Sequence, residues 1–310
     1  MDFLASTDSN YIMPCGVMIC SVCENNRTVP LHFHIIIDES VSSCDMHNLE
    51  AIVKGYGAAL SFYRFNRADY PQFSIDSGSH LTMATFYRLL IQDVLPIDVQ
   101  RVIYLDCDII VRHSLLPLWE ISLDGKSLAA VPDLSEAIQE RYSRLGYSAD
   151  KGYFNAGMLV INLDFWRRHD LKKVFLEYFF LHKHVCLQHD QDVLNVCCLD
   201  TKVVLPLKYN SQDGFYYRKK YIDVNRYKGQ WTETLSDPIV LHFTANKPWE
   251  IECDFPYKDE FFKYQKLTVW KDTPLVHSKC PLTKKQRIVK NLRRFRLLPA
   301  RYHLLVKHLN

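Results

Sequence analysis

The sequence lacks both glycine-rich motifs that commonly hold nucleotide phosphates, G-x-G-x-x-G and G-x-x-x-x-G-K-[ST]. Any phosphate that this chain binds therefore needs another counter-charge. The chain also has no Gly/Ser-rich linker, no low-complexity segment and no internal repeat. Its 310 residues, of which 48% are hydrophobic and 13% aromatic, are enough for a large packed core. These features favour one main domain.

The sequence also shows no pattern that is typical of a targeting segment. The N-terminal residues do not form the basic region and long apolar core of a secretory signal peptide. Later apolar stretches, such as 174–181, are too short and too polar to span a bilayer. Among the ten cysteines, the one suggestive pair is Cys20 and Cys23, which we interpret as small buried side chains of a helix rather than a zinc site or a disulfide. These observations predict a protein of the reducing cytoplasm.

The net charge of +3 conceals a strong asymmetry, because no acidic residue follows Asp272. That last region carries ten of the 38 lysines and arginines, so that the rest has 28 basic against 35 acidic residues, a net −7. Residues 283–298 place Ile288, Leu292 and Phe295 at helical spacing among basic residues. A basic amphipathic helix is typical of a membrane-surface anchor. The alternatives are a helix packed on the domain with a solvated basic face, and a nucleic-acid site, against which the acidic body argues.

The first half of the chain alternates strand-like and helix-like segments, as in a parallel or mixed α/β sheet. The patterns predict strands over 31–37, 60–65, 102–111 and 127–131, and helices over 14–24, 42–56 and 82–94. In such sheets, ligands gather at the carboxyl ends of the strands. Acids follow several strand-like runs: Asp8, Asp38, the pair Asp106 and Asp108, and Asp133. A solvated turn acid explains any one of them, but their repetition favours a shared polar cleft.

The most informative stretch is RVIYLDCDIIV at 101–111, where two carboxylates lie within an apolar strand pattern. Acids are costly to bury there unless a cation pairs with them. Residues i and i+2 of a strand point to the same face, so that Asp106 and Asp108 could converge on one divalent ion. The alternative is a strand that runs out into a solvated turn, and the spacing alone favours that alternative. Carboxylates suit Mg²⁺, and an added imidazole shifts the choice towards Mn²⁺.

Two further patterns carry polar side chains into the predicted cleft. A later strand is introduced by Asn155 and Gly157, where the amide suits a sugar hydroxyl and the glycine permits close approach; a turn before a strand is the alternative. A helix N-terminus follows, where Asp190 and Asp192 favour the helix dipole. We assign that capping role to at least one of these acids, while Asp190 and Gln191 could instead face the cleft.

The last polar segment is a strand that ends at His242. A lone histidine after a strand is more often a structural residue than a ligand. With Lys247 five residues later, it forms a plausible pair in which the imidazole binds a metal and the ammonium binds a phosphate.

In this order and spacing, these segments resemble the family 8 retaining glycosyltransferases, which include bacterial lipopolysaccharide and lipooligosaccharide α-galactosyl- and α-glucosyltransferases. The resemblance covers about 1–275. It implies a GT-A fold, an α/β domain with a mixed, mostly parallel sheet flanked by helices, and leaves 276–310 as a basic C-terminal helical tail. The motifs that carry it are Asp8-Ser-Asn10-Tyr11, Phe86-Tyr-Arg88-Leu, Tyr104-Leu-Asp106-Cys-Asp108, Phe154-Asn-Ala-Gly157, Asp190-Gln-Asp192, and His242-Phe with Lys247-Pro-Trp249.

The resemblance also implies a UDP-sugar donor and Mn²⁺, with Mg²⁺ as the alternative. The implied metal ligands are Asp106, Asp108 and His242. The implied donor-binding residues are Asp8 and Asn10 on the uridine, Arg88 beside the donor, Lys247 on the diphosphate, and Asn155 with Gly157 at the sugar. The implied catalytic residues of the sugar pocket are Gln191, Asp190 and Asp133.

The implied reaction transfers glucose or galactose from a UDP-sugar to a lipid-linked or cell-surface glycan, with retention of configuration at the anomeric carbon. The expected location is cytoplasmic, peripheral on the inner face of the plasma membrane, with an anionic membrane surface and no nucleic acid as partner of the tail. Alternatives are a metal-dependent sugar-nucleotide hydrolase or nucleotidyltransferase, and a non-catalytic sugar-binding protein. The chain departs from the family pattern at Cys107, in a shorter loop at 244–246, and in the loop at 72–80, where an acceptor pocket could differ.

Overall fold

The computed structural model describes residues 1–64, 87–218, 220–245, 247–278, 283–295, 297–299 and 301–302. Several predictions fall outside these residues: the acceptor loop at 72–80, the first part of the helix predicted over 82–94, Asn246 and the apolar end of the tail from 303 onwards.

In the described part, strands form two sheets. The strands are β1 (Asp2–Thr7), β2 (His32–Ile37), β3 (Ala59–Arg64), β4 (Arg101–Leu105), β5 (Ile109–Val111), β6 (Leu128–Pro132), β7 (Phe154–Asn162), β8 (Lys202–Val204), β9 (Ser211–Gln212) and β10 (Val240–His242). The larger sheet has the order β3-β2-β1-β4-β7-β6-β8, and the smaller one β5-β10-β9. The larger sheet is parallel apart from β7, which runs antiparallel to both of its neighbours. The prediction of a mixed, mostly parallel sheet is confirmed.

Helices cover both faces of the larger sheet. They are α1 (Ile12–Asn25), α2 (Ser43–Gly55), α3 (Ile91–Val94), α4 (Leu116–Trp119), α5 (Gln139–Leu145), α6 (Leu163–Arg168), α7 (Leu171–His182), α8 (Asp190–Cys197), α9 (Trp231–Ser236), α10 (Lys258–Gln265) and α11 (Lys284–Arg294). Alternation along β1 sends Phe3 and Ala5 into one core and Leu4 into the other. Because both faces are covered, residues 3–5 of β1 and 102–105 of β4 are hydrophobic and buried one after another. Cys20 and Cys23 lie buried in α1, as predicted.

The strand predicted over 102–111 is wrong in one respect, because it is two strands. β4 ends at Leu105, and β5 begins at Ile109 and belongs to the smaller sheet. Asp106 and Asp108 lie in the turn between them. The apolar residues on both sides are buried whether the chain continues or turns, so that hydrophobicity could not reveal the break. The turn, rather than strand alternation, therefore brings the two carboxylates together.

The antiparallel direction of β7 places its first residues beside the carboxyl ends of β4 and β6. The Asp106 amide donates to the Gly157 carbonyl at 2.8 Å, and the Asp133 amide donates to the Tyr153 carbonyl at 2.9 Å. Asn155 and Gly157 are thus part of the strand itself rather than a turn before it. This topology gathers the predicted site residues at one edge of the sheet.

Candidate active site

A cleft of about 440 Å³ opens at this edge, and a second cleft of about 370 Å³ adjoins it. The two share Asp106, Asp108, Asn155, Gln188 and Gln191. The first cleft is further lined by Ser6, Thr7, Asp8, Tyr11, Arg88, Tyr104, Cys107, Gly157 and Asp190. The second is further lined by Asp133, Leu134, Ser135, Arg141, His242 and Thr244.

Asp106, Asp108 and His242 lie at the boundary between the two clefts. Each offers a ligand atom, and these atoms all lie within 4.8 Å of one another. His242 Nε2 is 3.2 Å from Asp108 Oδ1 and 3.8 Å from Asp106 Oδ2. Two carboxylates and one imidazole are a donor set that suits a divalent cation. The structure therefore brings together the three residues that were predicted as metal ligands.

Two neighbours hold this donor set in place. His242 Nδ1 lies 2.9 Å from Oδ1 of the buried Asn210, a contact in which Nδ1 carries the proton and Nε2 is left to face the carboxylates. Gly157 packs directly against the ligands. A Cβ at that position would lie 2.2 Å from His242 Cε1 and 2.6 Å from Asp106 Oδ2. The close approach that the sequence suggested for Gly157 is thus an approach to the candidate metal ligands.

Lys247 pairs with Asp108 and also donates to the Phe243 carbonyl at 2.7 Å. Burial favours the neutral form of Asp108, but the charge of Lys247 and the contact with His242 outweigh it and hold the pKa of Asp108 well below its usual range. Burial also opposes the charge of Lys247, yet Asp108 raises the pKa of this ammonium above its usual value. A positive charge therefore lies beside the candidate metal ligands at neutral pH.

Arg88 connects the acids of the first cleft. Its Nη1 donates to Asp190 Oδ2 at 2.6 Å, and its Nη2 donates to Asp106 Oδ1 at 2.6 Å and to the Tyr104 hydroxyl at 2.7 Å. The Tyr104 hydroxyl in turn donates to Asp106 Oδ1 at 2.9 Å. Burial alone would lower the pKa of Arg88, but Tyr104 and the two carboxylates raise it. Arg88 therefore keeps its charge and fixes the orientation of Asp106, one of the two candidate metal-ligand carboxylates.

Asp190 is buried at the start of α8, as predicted for a cleft residue. Burial raises the pKa of its carboxyl to about 6, and the attraction of Arg88 opposes this only in part. Asp192, two residues further along α8, has a different role. It is fully buried and accepts hydrogen bonds from Arg144 at 2.8 Å, the Tyr153 hydroxyl at 2.7 Å and the Gln188 amide at 2.7 Å. Of the two acids, Asp192 is thus the one that stabilises the helix start.

Gln191 lines both clefts, and both ends of its side-chain amide are hydrogen-bonded. Its Nε2 donates to Asp133 Oδ2 at 3.3 Å and to the Tyr153 hydroxyl at 3.2 Å, and its Oε1 accepts from the Ala156 amide at 3.0 Å. The side-chain amide is therefore fixed by contacts at both ends, and its orientation towards Asp133 is defined.

Asn155 extends the same network towards the candidate metal ligands. Its Nδ2 donates to Asp133 Oδ2 at 3.2 Å, and its Oδ1 accepts from the Gly157 amide at 3.0 Å and from Asn210 Nδ2 at 2.9 Å. Arg141 lies 3.6 Å from Asp133 Oδ1, so that this buried carboxylate has a counter-charge. Asp133, Asn155 and Gln191 thus form one hydrogen-bonded wall.

The structure gives Asp8 a local role in addition to its place in the first cleft. Its Oδ1 accepts from the backbone amides of Asn10 at 2.9 Å and Tyr11 at 3.0 Å, which organises the start of α1. Asn10 is exposed, and among the described residues neither it nor Asp38 lines either of the two clefts. Asp38 accepts from Ser40 instead.

The sequence did not indicate Asn210, Arg141 or Tyr153 as parts of the site. Asn210 lies in a short 3-10 turn before β9, without a motif around it. Arg141 and Tyr153 acquire their roles only because α5 and β7 meet at Asp133. The contacts of Tyr153 with Gln191 and of Asn210 with His242 are long-range, so that a signal for them would have to come from the fold rather than from local spacing.

The sequence profile of glycosyl transferase family 8 matches residues 3–253. The chain belongs to this family. General stress protein A of Bacillus subtilis (strain 168) is 28% identical over 277 residues, which are 87% of this chain and 94% of that protein. Lipopolysaccharide glucosyltransferase WaaO of Escherichia coli (strain K12) is 28% identical over 285 residues, 89% of this chain and 80% of that protein.

A solved structure gives the same answer for the fold. The galactosyltransferase LgtC, in complex with donor and acceptor sugar analogues, matches with a TM-score of 0.77 at 27% identity, and covers 93% of this chain and 99% of its own. LgtC has also been solved as an active-site mutant in which glutamate replaces a glutamine. The family 8 chain therefore has the predicted GT-A fold and is a glycosyltransferase that acts on glycan acceptors. GT-A enzymes generally use a divalent metal, and the donor set at the cleft fits one.

Proposed function

We propose that this family 8 enzyme transfers glucose or galactose from a UDP-sugar to a glycan acceptor with retention of the anomeric configuration. The observation that carries this proposal is the joint position of Asp106, Asp108 and His242 with Lys247 beside them. A cation and an ammonium at one point suit a diphosphate, and no glycine-rich phosphate loop occurs in the sequence. Asp8 lines the first cleft at the end of β1 and is proposed to contact the uridine, with Asn10 as its neighbour.

Asp106, Asp108 and His242 would hold Mn²⁺, with Mg²⁺ as the alternative, because the imidazole nitrogen shifts preference towards the softer ion. The cation would supply Lewis-acid stabilisation of the departing UDP. Lys247 would bind the diphosphate once its contact with Asp108 is shared with the ligand. Arg88 would lie beside the donor and keep Asp106 oriented. Such preorganised charges are often the largest catalytic contribution.

The wall of Asp133, Asn155 and Gln191 is proposed to bind the transferred hexose, with Gly157 lining the adjoining cleft. Gln191 would face the anomeric carbon, in the role of the active-site glutamine of LgtC. An amide is a poor nucleophile, and Asp190 is engaged by Arg88. We therefore favour attack by the acceptor hydroxyl on the face that UDP leaves, with the bond to UDP breaking and the hydroxyl proton passing to a UDP oxygen.

The test of this function is UDP release from a panel of UDP-sugars, in the presence of Mn²⁺ and after chelation. We expect turnover with UDP-glucose or UDP-galactose that chelation abolishes and Mn²⁺ restores. Product analysis decides between the reaction classes. UDP together with a glycosylated acceptor supports transfer, whereas UMP with free sugar 1-phosphate would mean a sugar-nucleotide hydrolase. UTP with sugar 1-phosphate, formed only when pyrophosphate is supplied, would mean a nucleotidyltransferase. A bound UDP-sugar without any turnover would mean a sugar-binding protein.

The roles of Asp190 and Gln191 are separable by substitution. If Asp190 were the nucleophile of a double displacement, a covalent glycosyl adduct should be absent in Asp190→Asn and detectable by mass spectrometry in the wild type. Gln191→Ala should lose most turnover while UDP still binds. Substantial remaining activity of Gln191→Ala would contradict its proposed electrostatic role, and an adduct on Asp190 would contradict front-face attack.

The acceptor is proposed to be lipid-linked or a cell-surface glycan, by analogy with relatives named as lipopolysaccharide glycosyltransferases. The tail supports a location at the inner face of the plasma membrane. In α11, Ile288 is 59% exposed, and Phe295 directly after it is 71% exposed. Basic residues flank both positions in the sequence, a pattern that suits an anionic lipid surface. Among the described residues, no helix has the length and apolar character needed to cross a bilayer.

A further inference from the structure

A second cluster of metal-ligating side chains lies at the opposite edge of the larger sheet. Asp2 begins β1 and pairs in register with His32, the first residue of β2. His34 lies two residues further along β2, so that both imidazoles are on the same face. The far end of β1, at Ser6 and Thr7, lines the candidate active site. Because a six-residue strand spans about 17 Å, the cluster is well separated from the catalytic cleft.

The three side chains already converge. Their ligand atoms all lie within 4.8 Å of one another. His34 Nε2 is 3.0 Å and His32 Nδ1 is 3.7 Å from Asp2 Oδ1. In a tetrahedral Zn²⁺ site with bonds of about 2.0 Å, donor atoms are roughly 3.3 Å apart. The two distances lie on either side of this value, so that small side-chain rotations would suffice to bind an ion.

The remaining ring nitrogens are held by hydroxyl groups of the neighbouring strand. His34 Nδ1 lies 2.9 Å from the Tyr63 hydroxyl, and His32 Nε2 lies 2.9 Å from the Ser61 hydroxyl. Histidines that bind metals commonly use their other nitrogen in such a bond, which fixes the ring. Here the bonds leave one nitrogen of each ring directed at Asp2. This arrangement is not required by a simple Asp–His ion pair, which needs one imidazole only.

Space and charge around the cluster also suit a cation. A cavity of about 420 Å³ adjoins it, and Asp2 and His32 are partly exposed to it. Asp98 lines the same cavity and adds negative charge. Arg101 lines it too, but its guanidinium donates to the Trp119 carbonyl. The cavity has room for water as a further ligand, as in zinc sites with three protein ligands.

We propose that Asp2, His32 and His34 form a second metal site, specific for Zn²⁺ over Mn²⁺ and Mg²⁺. Two imidazoles and one carboxylate favour zinc, whereas the catalytic cleft has two carboxylates and one imidazole. Bound zinc would join β1 to β2 at the edge away from the chemistry. It would therefore stabilise the sheet without taking part in glycosyl transfer.

The test uses the untagged full chain, stripped of metal, with His242→Gln introduced to weaken the catalytic site. Zinc is titrated by calorimetry, and bound zinc is counted by elemental analysis after desalting. We expect one tightly bound zinc per chain. Asp2→Asn and His32→Gln in the same background should each weaken zinc binding at least about tenfold. His47→Gln, which changes an exposed histidine of α2, should not.

Two further readouts separate metal binding from a structural effect. Zinc should raise the melting temperature of the parent and of His47→Gln, but not of Asp2→Asn. Co²⁺ should give the visible absorption of a low-coordinate site in the parent and in His47→Gln, but not in Asp2→Asn. Asp2→Asn keeps an oxygen that can accept from His34, so its circular dichroism should match the parent. Unchanged zinc affinity in folded Asp2→Asn and His32→Gln would overturn the proposal.

Discussion

At the scale of single residues, Gly157 tests the candidate metal site most directly. A methyl group there would overlap His242 Cε1 at 2.2 Å and Asp106 Oδ2 at 2.6 Å. Gly157→Ala should therefore displace the ligands, lower turnover about 100-fold and raise the Mn²⁺ concentration for half-maximal activity at least about tenfold. The measurement is steady-state UDP release over a series of Mn²⁺ concentrations.

Gly55→Ala is the matched control. Gly55 ends α2, and a Cβ there would meet nothing within 4 Å. Alanine is the better helix former by up to about 1 kcal/mol, so that this variant should keep full activity and full stability. Equal Mn²⁺ dependence of the two variants would show that close packing around Gly157 is not needed, and would contradict the assignment of the ligands.

The raised pKa of Asp190 predicts how the stability of the protein depends on pH. Its pKa of about 6 in the folded protein exceeds the usual value of about 3.9. The folded state is therefore favoured by protonation of Asp190, and this stability is fully present below about pH 4 and lost as the pH rises through about 6. Asparagine at this position is neutral at every pH, so that Asp190→Asn does not lose this stability as the pH rises. Between about pH 5 and pH 7.5, the mutant should gain about 1 kcal/mol relative to the wild type, or roughly 2 °C.

The measurement is the melting temperature of both proteins, without metal, at the two pH values. Asp200→Asn serves as the control, because Asp200 is exposed and its pKa is lowered by Lys151 rather than raised. The difference in melting temperature between Asp200→Asn and the wild type should stay constant over this pH range. A constant difference for Asp190→Asn as well would mean that burial does not raise the pKa of Asp190.

The candidate metal ligands and their neighbours differ in how far the sequence could predict them. Asp106 and Asp108 stood out because acids beside buried apolar residues need a cation. His242 was found only through the resemblance and its spacing to Lys247. Asn210, which orients His242, has no local signal at all. A residue is predictable here when its own environment is anomalous, and unpredictable when its role depends on a contact across the fold.

At the scale of elements, hydrophobic periodicity located several helices and strands, but it showed neither the break between β4 and β5 nor the directions of the strands. The patterns placed α1, α2 and β2 within one or two residues. They could not show that the chain turns at Asp106 or that β7 runs antiparallel, because a buried strand has the same composition in either direction. Both features are set by which strand lies next to which, and both are needed to form the cleft.

The tail helix α11 gives a prediction at this scale. A capping box at Thr283 and Gln286 starts it, and Lys290 donates to the Glu252 carbonyl at 2.8 Å, which holds the helix against the body. Ile288 and Phe295 remain exposed. Ile288→Ser with Phe295→Ser should reduce binding to anionic lipid vesicles at least about tenfold, because lost apolar burial weakens interfacial attachment.

Vesicle co-sedimentation at several salt concentrations measures this effect, and wild-type binding should weaken as salt increases. Leu181→Ser, at an exposed apolar residue of α7, is the control and should bind like the wild type. Turnover with a soluble acceptor should be the same in all three proteins. If vesicle binding were absent in the wild type, or unchanged by deletion of 283–310, α11 would be a helix packed on the domain with a solvated basic face.

At the scale of the whole molecule, the candidate active site joins the two sheets. The turn that carries Asp106 and Asp108 leads from β4 in the larger sheet to β5 in the smaller one, and His242 ends β10 of the smaller sheet. Gly157 of β7 packs between them. A metal ion bound by Asp106, Asp108 and His242 would therefore hold both sheets together. Its binding should stabilise the whole protein against unfolding.

We accordingly expect Mn²⁺ and UDP together to raise the melting temperature more than the sum of their separate effects, because each would improve the site for the other. At about 100 times the dissociation constant, binding adds about 2.7 kcal/mol, which corresponds to roughly 5 °C for a chain of this size. Calorimetric scans with Mn²⁺, UDP, both and neither measure the effect. Asp108→Asn should lose the joint increase, because it removes a carboxylate from the donor set and a partner from Lys247. A full increase with UDP alone, in the presence of a chelator, would show that the nucleotide binds without a metal bridge and that the cleft is held together by the protein contacts themselves.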